Sequence, residues 1–480
     1  MPLRFGSRLK TFLPPLPMSL QTSKVRPHVS LVVLSLYSSS ACMLVFSKPD
    51  LFDDVYHDST AYHAVSVVRG LAFLLVLQFA LTPLYGVLSD SVGRKPIFLS
   101  CGLVYTVVVV LLACLPSKYL LQGSFLLYAT LNACFSMGFA MVGDVSTTTA
   151  FLTPGFGLVH AAFGVGLTTG ALLGHGLATQ HHAAMPSIVA TAFCSLGVFL
   201  TSKYVHETLD STVRKPFVSL WRAFVASVRH LHRTPQVIPL VALLYCMHLA
   251  ETVHITMYFM TNYRFGWQLK HEFVFVSFQG FCAVAAVTVG LQSLARLVGS
   301  NRLILLGALA LQTSVYGAAA LATAGWQYYP IFGLGMLHCV GYPALRSIAH
   351  QLVSPHDYGA LHSTLAVYST AAMTMGEPLV KHIVRFSLSN DLKLEHPRQC
   401  PVGYHGVLNT DAARNCGGMP WIVFAAAAAL VAVAFVVAYA TVGRVWSVRS
   451  RVVLGPVPPT TPTASSSSVP PPPPPIEPTP

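Results

Sequence analysis

The stretch Gly86–Lys95 (GVLSDSVGRK) places an acid, an arginine and a lysine between two long apolar runs. Gly86 has no side chain and would let two helices approach closely at a membrane edge. We expect Asp90, Arg94 and Lys95 to lie at the membrane interface and to form ion pairs that can be exchanged. The alternative interpretation is a basic interfacial turn, which is common after an apolar helix.

A second set of ionisable residues lies inside a later apolar run. His248, Glu251 and His254 are spaced by three residues, so they fall broadly on one helix face and could line a polar cavity. A charge at membrane depth is costly unless it is paired or hydrated, which makes each of them a candidate for a solute or proton pathway. The His-x-x-Glu spacing also suits a metal, but no other ligand cluster accompanies it. We therefore predict no metal site and no cofactor.

Other ionisable residues in apolar runs have competing explanations. Arg69 lies one turn into the second run and could join the pathway or extend to the membrane surface. Glu377 is a pathway candidate, but Lys381 follows one turn later and could neutralise it. We expect His338 to be a hydrogen-bonded core residue.

The composition indicates lipid as the solvent. Hydrophobic residues make up 54% of the 480-residue chain and charged residues 9%, whereas soluble domains are roughly a quarter charged. The length suits about twelve spans of about 20 residues each. Apolar runs lie near 29–47, 64–88, 97–115, 120–143, 155–177, 186–203, 237–261, 273–294, 303–323, 330–352, 359–386 and 420–443.

The net charge of +13 does not indicate a nucleic-acid partner, because most Lys and Arg residues fall in alternate connecting segments. This is the positive-inside pattern of a multi-pass membrane protein. It predicts that both termini and the Gly86–Lys95 loop are cytoplasmic.

We divide the chain into a basic cytoplasmic N-terminus, a six-helix bundle, a cytoplasmic linker, a second six-helix bundle and a disordered Pro/Ser-rich tail. An internal repeat supports this layout: Leu88–Gly93 (LSDSVG) recurs as Leu294–Gly299 (LARLVG) at a corresponding inner loop. Arg296 stands where Asp90 stood, so the second copy is degenerate. The five segments are 1–28, 29–203, 204–236, 237–443 and 444–480.

The connecting segments carry two weaker features. The proline-rich tail could bind SH3- or WW-type domains, although a tail without a partner is the simpler interpretation. Cys400 and Cys416 share one long outer loop and could form a disulfide in an oxidising compartment, whereas the other eight cysteines fall inside apolar runs.

The fifth run carries Gly166, Gly170 and Gly174 at intervals of four residues, which predicts one helix face for close backbone packing. This run resembles the glycine-rich motif of drug:proton antiporters, most closely the tetracycline exporters, with Ala171 where that motif usually has proline. The spacing G-x-L-S-D-x-x-G-R-K, which includes Gly93, resembles the signature loop of the major facilitator superfamily.

Further motifs resemble the same branch. Val142–Ser146 (VGDVS) resembles the end of its fourth helix, which implies that Asp144 lies near Arg94. Val205–Leu209 (VHETL) resembles the sequence that ends its sixth helix. Together with Leu249–Thr252 and Tyr342–Leu345, these motifs resemble the hippocampus-abundant-transcript-like proteins over about residues 28–443.

The resemblance implies an all-α integral membrane protein with two six-helix bundles. It also implies transport of a small organic solute, sugar-like or drug-like, by alternating access. Protons are a candidate coupling ion, but the first run carries no charge and the fourth lacks the arginine of many antiporters. Two alternatives stay open: a transporter-derived receptor or scaffold, and a membrane-embedded enzyme using the His248, Glu251 and His254 face.

Overall fold

The structure is a computed structural model, and within the part of the chain that it describes the regular structure is entirely helical. Lipid offers no hydrogen-bond partner, so an apolar chain must pair its N–H and C=O groups within its own helices. The described residues are 27–56, 81–82, 84–115, 126–146, 149–180, 185–214, 236–257, 260–261, 265–353, 357–392 and 421–453.

The helices follow the predicted apolar runs closely. Among the described residues, seven helices are long and apolar enough to cross a membrane. In the first half of the chain the helices are α1 (Pro27–Tyr56), α2 (Arg94–Cys114), α3 (Leu126–Val145), α4 (Thr149–Gln180) and α5 (Met185–Tyr204), and residues 84–92 are also helical. In the second half they are α6 (Ile238–Glu251), α7 (Leu269–Ala285), α8 (Leu291–Val298), α9 (Asn301–Leu321), α10 (Tyr328–Gly335), α11 (Gly341–His350), α12 (Tyr358–Leu392) and α13 (Trp421–Val453).

Three helical runs of the second half are interrupted, which the sequence did not predict. A 3₁₀ turn, Thr252–Thr256, follows α6, and another, Met336–Val340, separates α10 from α11. A π turn, Ala286–Gly290, separates α7 from α8 and packs against the Met336–Val340 turn. Departures from α-helix free backbone groups, which are tolerated at membrane depth only against protein or water.

Each half has its own hydrophobic core. In the first half the core is centred on buried aromatic residues such as Tyr37 and Tyr105, whose rings meet edge to face at 6.0 Å. In the second half Phe275, Phe332 and Phe424 are buried, and the Phe275 and Phe332 rings lie 5.7 Å apart. Two separate cores define two helical units.

The glycines of α4 pack closely against α1. A Cβ atom on Gly170 would lie 2.7 Å from the backbone nitrogen of Met43, and one on Gly174 would lie 2.6 Å from the Met43 carbonyl oxygen. A Cβ on Gly166 would overlap the Ser38 side chain. The predicted small-residue face is therefore the α1–α4 contact.

The opposite face of α4 packs against α7 of the second half. A Cβ atom on Gly280 of α7 would lie 2.7 Å from the backbone nitrogen of Thr168 and 3.0 Å from the carbonyl oxygen of Gly164. Helix α4 therefore packs closely against α1 of its own half through one face and against α7 of the other half through the opposite face.

One predicted boundary is wrong, and several predictions lie outside the described residues. Helix α13 continues through 444–453, because this segment has no Gly or Pro to end the helix, so the tail does not lose order at 444. Arg69, Cys400, Cys416 and residues 454–480 are outside the described ranges.

Candidate functional site

A buried ion-pair cluster forms where helical residues 84–92 meet α2 and α3. The Arg94 side chain is fully buried, and its Nη1 donates to Asp90 Oδ1 at 2.5 Å and to Ser89 Oγ at 2.6 Å. Its Nε donates to Asp144 Oδ2 at 3.1 Å. We call Asp90, Arg94 and Asp144 the charged latch.

Asp90 extends this cluster to the other half of the molecule. Its two carboxylate oxygens accept hydrogen bonds from the backbone N–H groups of Gly359 at 3.1 Å and Ala360 at 3.0 Å. These groups are in the first turn of α12, where the helix dipole favours an anion. The charged latch therefore binds the start of a second-half helix.

Glycines allow this contact. A Cβ atom on Gly86 would overlap the Ser363 side chain and lie 2.6 Å from the Gly359 carbonyl oxygen. A Cβ on Gly359 would meet Asp90 and Arg94. The close helix contact that the sequence predicts at Gly86 is made with α12.

A carboxylate from the segment after α5 caps the start of α2. Glu207 accepts hydrogen bonds from the backbone nitrogens of Arg94 at 2.8 Å and Lys95 at 3.2 Å. Gly93 precedes them with a φ of 121°, which favours glycine. The VHETL motif resembles the end of a helix, and only the fold shows that its Glu207 caps α2.

Lys95 does not join the charged latch. Its Nζ donates to the Ser202 carbonyl oxygen at 3.1 Å, and within the described ranges it forms no ion pair. An exchangeable ion pair at Lys95 stays a prediction for another state of the protein. Lys95 is partly exposed beside a helix C-terminus, where unpaired carbonyls attract a cation.

Beyond the latch, histidine rings continue along the contact between the halves. His350 Nδ1 lies 3.3 Å from His362 Nε2, and both rings are buried. Phe139 of α3 stacks on His362 at 5.7 Å and approaches His160 of α4 at 4.9 Å between ring centroids. We define the histidine column as His350, His362, His160, His248 and His338.

Tyr342 of α11 lies beside the other three histidines of this column. Its ring centroid lies 6.0 Å from that of His160, 4.8 Å from that of His248 and 6.5 Å from that of His338. The column thus combines imidazoles of both halves around one aromatic ring.

Arg346 lies beside the column and was missed from the sequence. Its guanidinium carbon is 4.1 Å from the centroid of the Phe139 ring. The side chain is 5% exposed, and its Nε and Nη1 have no hydrogen-bond partner among the described residues. A cation–π contact is worth about 0.5–2 kcal/mol, which is less than the several kcal/mol that desolvation of an ion costs. The sequence does contain a signal for Arg346, because a charged residue inside the apolar run 330–352 is a functional candidate.

Three predicted pathway residues face one neighbouring segment, 332–342. His248 contacts Tyr342, and His254 contacts Phe332 with ring centroids 5.5 Å apart. Glu251 Oε1 lies 3.4 Å from His338 Nε2. His338 Nδ1 is 2.8 Å from the Gly335 carbonyl oxygen, so this core histidine is held at both ring nitrogens.

The remaining predicted groups are not part of this arrangement. Glu377 is half-buried on α12, and the Lys381 side chain is outside the description, so their pairing stays a prediction. Within the described ranges, no three His, Cys, Asp or Glu side chains are placed to share a metal ion.

A sequence comparison identifies the family. The model of the Major Facilitator Superfamily matches residues 29–376. The chain belongs to this superfamily. The resemblance read from the Gly86–Lys95 loop is confirmed, and the superfamily fold makes the chain an all-α, multi-pass integral membrane protein whose class of function is membrane transport.

Curated superfamily relatives include both groups named from the sequence. The chain is 27% identical over 346 residues to the class C tetracycline resistance protein of Escherichia coli, covering 71% of this chain and 85% of that protein. It is 24% identical over 308 residues to hippocampus abundant transcript-like protein 1 of Rattus norvegicus, covering 61% of this chain and 59% of that protein.

Solved structures of the superfamily share this fold. The human organic anion transporter MFSD10 aligns with a TM-score of 0.68 and 19% identity, covering 89% of this chain and 100% of that one. The Escherichia coli fucose:proton symporter aligns with a TM-score of 0.61 and 13% identity, covering 86% and 98% of the two chains.

Proposed function

We propose that this superfamily member is a secondary transporter that moves a small organic solute across the membrane by alternating access. The observation that carries the proposal is the contact of Asp90 in the first half with the N-terminus of α12 in the second half. Two units with separate cores, joined at one end by the hydrogen bonds of Asp90 to α12, are suited to rock about a central site.

The proposed solute site lies along the histidine column, between the two halves. Imidazoles, Tyr342 and Glu251 provide polar groups there, next to the helix interruptions at Thr252–Thr256 and Met336–Val340. Interrupted helices at mid-membrane commonly form the solute sites of transporters, because their free backbone groups bind solutes and ions.

We propose that the charged latch faces the cytoplasm. This sidedness rests on the basic residues of the N-terminus and of the Gly86–Lys95 loop. The state with Asp90 bound to α12 is then the one closed to the cytoplasm, and release of the latch opens the solute site inward.

Glu251 and His338 are our candidates for coupling transport to protons. A carboxyl and an imidazole 3.4 Å apart can share a proton, and solute binding at neighbouring Tyr342 could change which group holds it. The tetracycline resistance proteins and the fucose:proton symporter suggest a drug-like or sugar-like solute by their names.

The test begins with a thermal-shift screen of sugars, folates, amino acids and drugs on the purified full-length protein, because a bound solute raises the melting temperature. The solute that stabilises the protein most is then used for flux in proteoliposomes under a proton gradient. We expect Glu251→Gln to lose gradient-driven flux. Glu272→Gln removes a buried carboxyl of α7 near Thr261 and is the matched control.

The results separate the remaining alternatives. Gradient-driven flux by Glu251→Gln equal to wild type removes Glu251 from the mechanism. Saturable binding without flux in wild type would favour the receptor alternative. Chemical change of the bound solute would favour the membrane-embedded enzyme.

A further inference from the structure

Two polar side chains on one face of α11 are buried without partners. Arg346 is 5% exposed and Tyr342 is 4% exposed. Within the described part of the chain, no hydrogen bond is made by Arg346 Nε, Arg346 Nη1 or the Tyr342 hydroxyl. The residues are one helical turn apart, so their side chains share a face. Buried polar atoms are normally hydrogen-bonded, so two adjacent residues with orphaned donors indicate a missing acceptor.

The surroundings offer an acceptor to Tyr342, whose hydroxyl lies beside the Glu251 carboxylate, but none to Arg346. Phe139 covers one face of the Arg346 guanidinium at 4.1 Å, and His160 and His248 stand against Tyr342. Glu251, the acid of this region, is held by His338. No ion pair joins Arg346 to a carboxylate among the described residues. Arg346 is therefore a buried cation without an ion-pair partner among the described residues.

We infer that Arg346 and Tyr342 form the binding site for a carboxylate group of the transported solute, which makes the solute an organic anion. This inference rests on the proposed transport function. A guanidinium binds a carboxylate through two parallel N–H bonds, and a phenolic O–H can donate a third. The adjacent Phe139 and His160 rings, 4.9 Å apart, offer surfaces for a planar apolar body on the same solute.

This placement connects binding to the movement of the halves. Arg346 and Tyr342 belong to the second half, whereas Phe139 and His160 belong to the first. A carboxylate on the N–H edge of Arg346 leaves the face of the guanidinium on Phe139, so a bound solute would contact both halves at once. Such a solute favours the state in which both sets of contacts are made, because a ligand shifts an equilibrium only through contacts that differ between the states.

The binding test uses benzoate as the anionic probe and benzamide as its neutral analogue of the same shape. Purified full-length protein in nanodiscs is melted over a concentration series of each, with chloride balancing the ionic strength. We expect benzoate to raise the melting temperature of wild type and benzamide to have a smaller effect. Arg346→Gln should weaken benzoate binding roughly tenfold or more, because charge-assisted hydrogen bonds are lost.

Two further variants keep this test interpretable. Arg346→Lys keeps the charge but loses the fork geometry, so it should bind benzoate with intermediate affinity. Arg296→Gln removes an equal charge from an exposed position on α8 and should bind as wild type does. Equal stabilisation by benzoate and benzamide, or equal benzoate affinity in wild type and Arg346→Gln, would overturn the inference.

A flux measurement separates this inference from the proposed function. Proteoliposomes are loaded with fluorescein, an organic anion, or with rhodamine 123, a cation on the same ring system. Fluorescein transport lost in Arg346→Gln supports the inference. Transport of rhodamine 123 alone leaves the transporter proposal standing and overturns the anion site. Benzoate binding that depends on Arg346, with flux of neither dye, supports the anion site and counts against transport.

Discussion

The two halves carry one copy each of the same loop, and both copies end in a glycine with a positive φ but differ in chemistry. Gly93 and Gly299 occupy equivalent positions, and their φ angles are 121° and 64°. Each glycine donates its N–H to the carbonyl four residues earlier at 3.1 Å, Gly93 to Ser89 and Gly299 to Ala295. The repeat therefore keeps the glycine and its hydrogen bond, while the ψ angles differ, 162° at Gly93 and 3° at Gly299.

The charges of the two copies are placed differently. Asp90 is 2% exposed and binds Arg94, whereas its counterpart Arg296 is exposed at the end of α8. The counterpart of Gly86 is Gln292, a residue too large for the close approach that Gly86 makes. The second copy thus keeps the glycine but not the buried acid that pairs with Arg94 in the first.

The second loop still contacts the opposite half, through neutral groups. Asn301 Oδ1 accepts a hydrogen bond from Thr153 of α4 at 3.0 Å, and Asn301 Nδ2 donates to Ser347 at 3.1 Å. Hydrogen bonds between neutral groups contribute about 0.5–1.5 kcal/mol each, whereas hydrogen bonds to a charged group, such as the two that Asp90 accepts from α12, contribute about 1.5–3 kcal/mol each. Of these two loops, the first therefore contributes more of the energy that holds the halves together.

The largest effect is expected from Asp90→Asn. The first turn of α12 loses a carboxylate that accepts two hydrogen bonds, each worth about 1.5–3 kcal/mol to a charged group, so the latch-closed state should lose about 3 kcal/mol, roughly a hundredfold in the equilibrium with the open state. Pulsed EPR between spin labels at Val92 and Leu297, both exposed, should show a longer distance in a background without native cysteines. Asp210→Asn, an exposed acid, is the control, and a distribution unchanged by Asp90→Asn would contradict the role of the charged latch.

An intermediate effect is expected from Gly86→Ala. The added methyl group would overlap Ser363 and press on the Gly359 carbonyl, and overpacking costs about 1–3 kcal/mol. The same label pair should report a partial shift toward the open state. Gln292→Ala is the matched change in the second loop and should leave the distance unchanged; equal shifts in both variants would argue that the copies act alike.

The smallest effects are expected in the second loop. Asn301→Ala removes the neutral contact to Thr153 and should cost about 1 kcal/mol. Arg296→Gln, at an exposed position, should stay within about 0.5 kcal/mol of wild type. Flux rates and melting temperatures measured beside Asp90→Asn check this order. A loss of switching in any single variant of Leu294–Gly299 as large as that in Asp90→Asn would refute the one-sided latch.

The sequence was most informative where local pattern determines structure. The apolar runs predicted where the helices lie, and the four-residue spacing of Gly166, Gly170 and Gly174 predicted the face of α4 that packs against α1. The latch required the family resemblance as well, which suggested the closeness of Asp144 and Arg94 that the structure shows at 3.1 Å.

The sequence was least informative where a contact joins distant segments. The capping of α2 by Glu207 depends on how the chain folds back after α5. The interruption at Thr252–Thr256 occurs within an apolar run that has no Gly or Pro at that position. The interruption at Met336–Val340 does have a local signal, because Pro343 cannot donate to the carbonyl of Cys339 four residues earlier. Arg346 could have been found from its charge inside the apolar run 330–352, but its contact with Phe139 of α3 is visible only in the fold.

Helix α4 has a mechanical consequence for movement between the halves. Its contact with α7 is made through Gly164 and Gly280, where the two backbones touch directly. A contact of this kind has few interlocked side chains that must change rotamer when the crossing angle changes. We therefore expect α4 and α7 to act as a pivot that stays in contact while the latch end opens and closes. A bulky residue at Gly280 would separate the two backbones and hinder the change in crossing angle between α4 and α7, although it alters no charge in the protein.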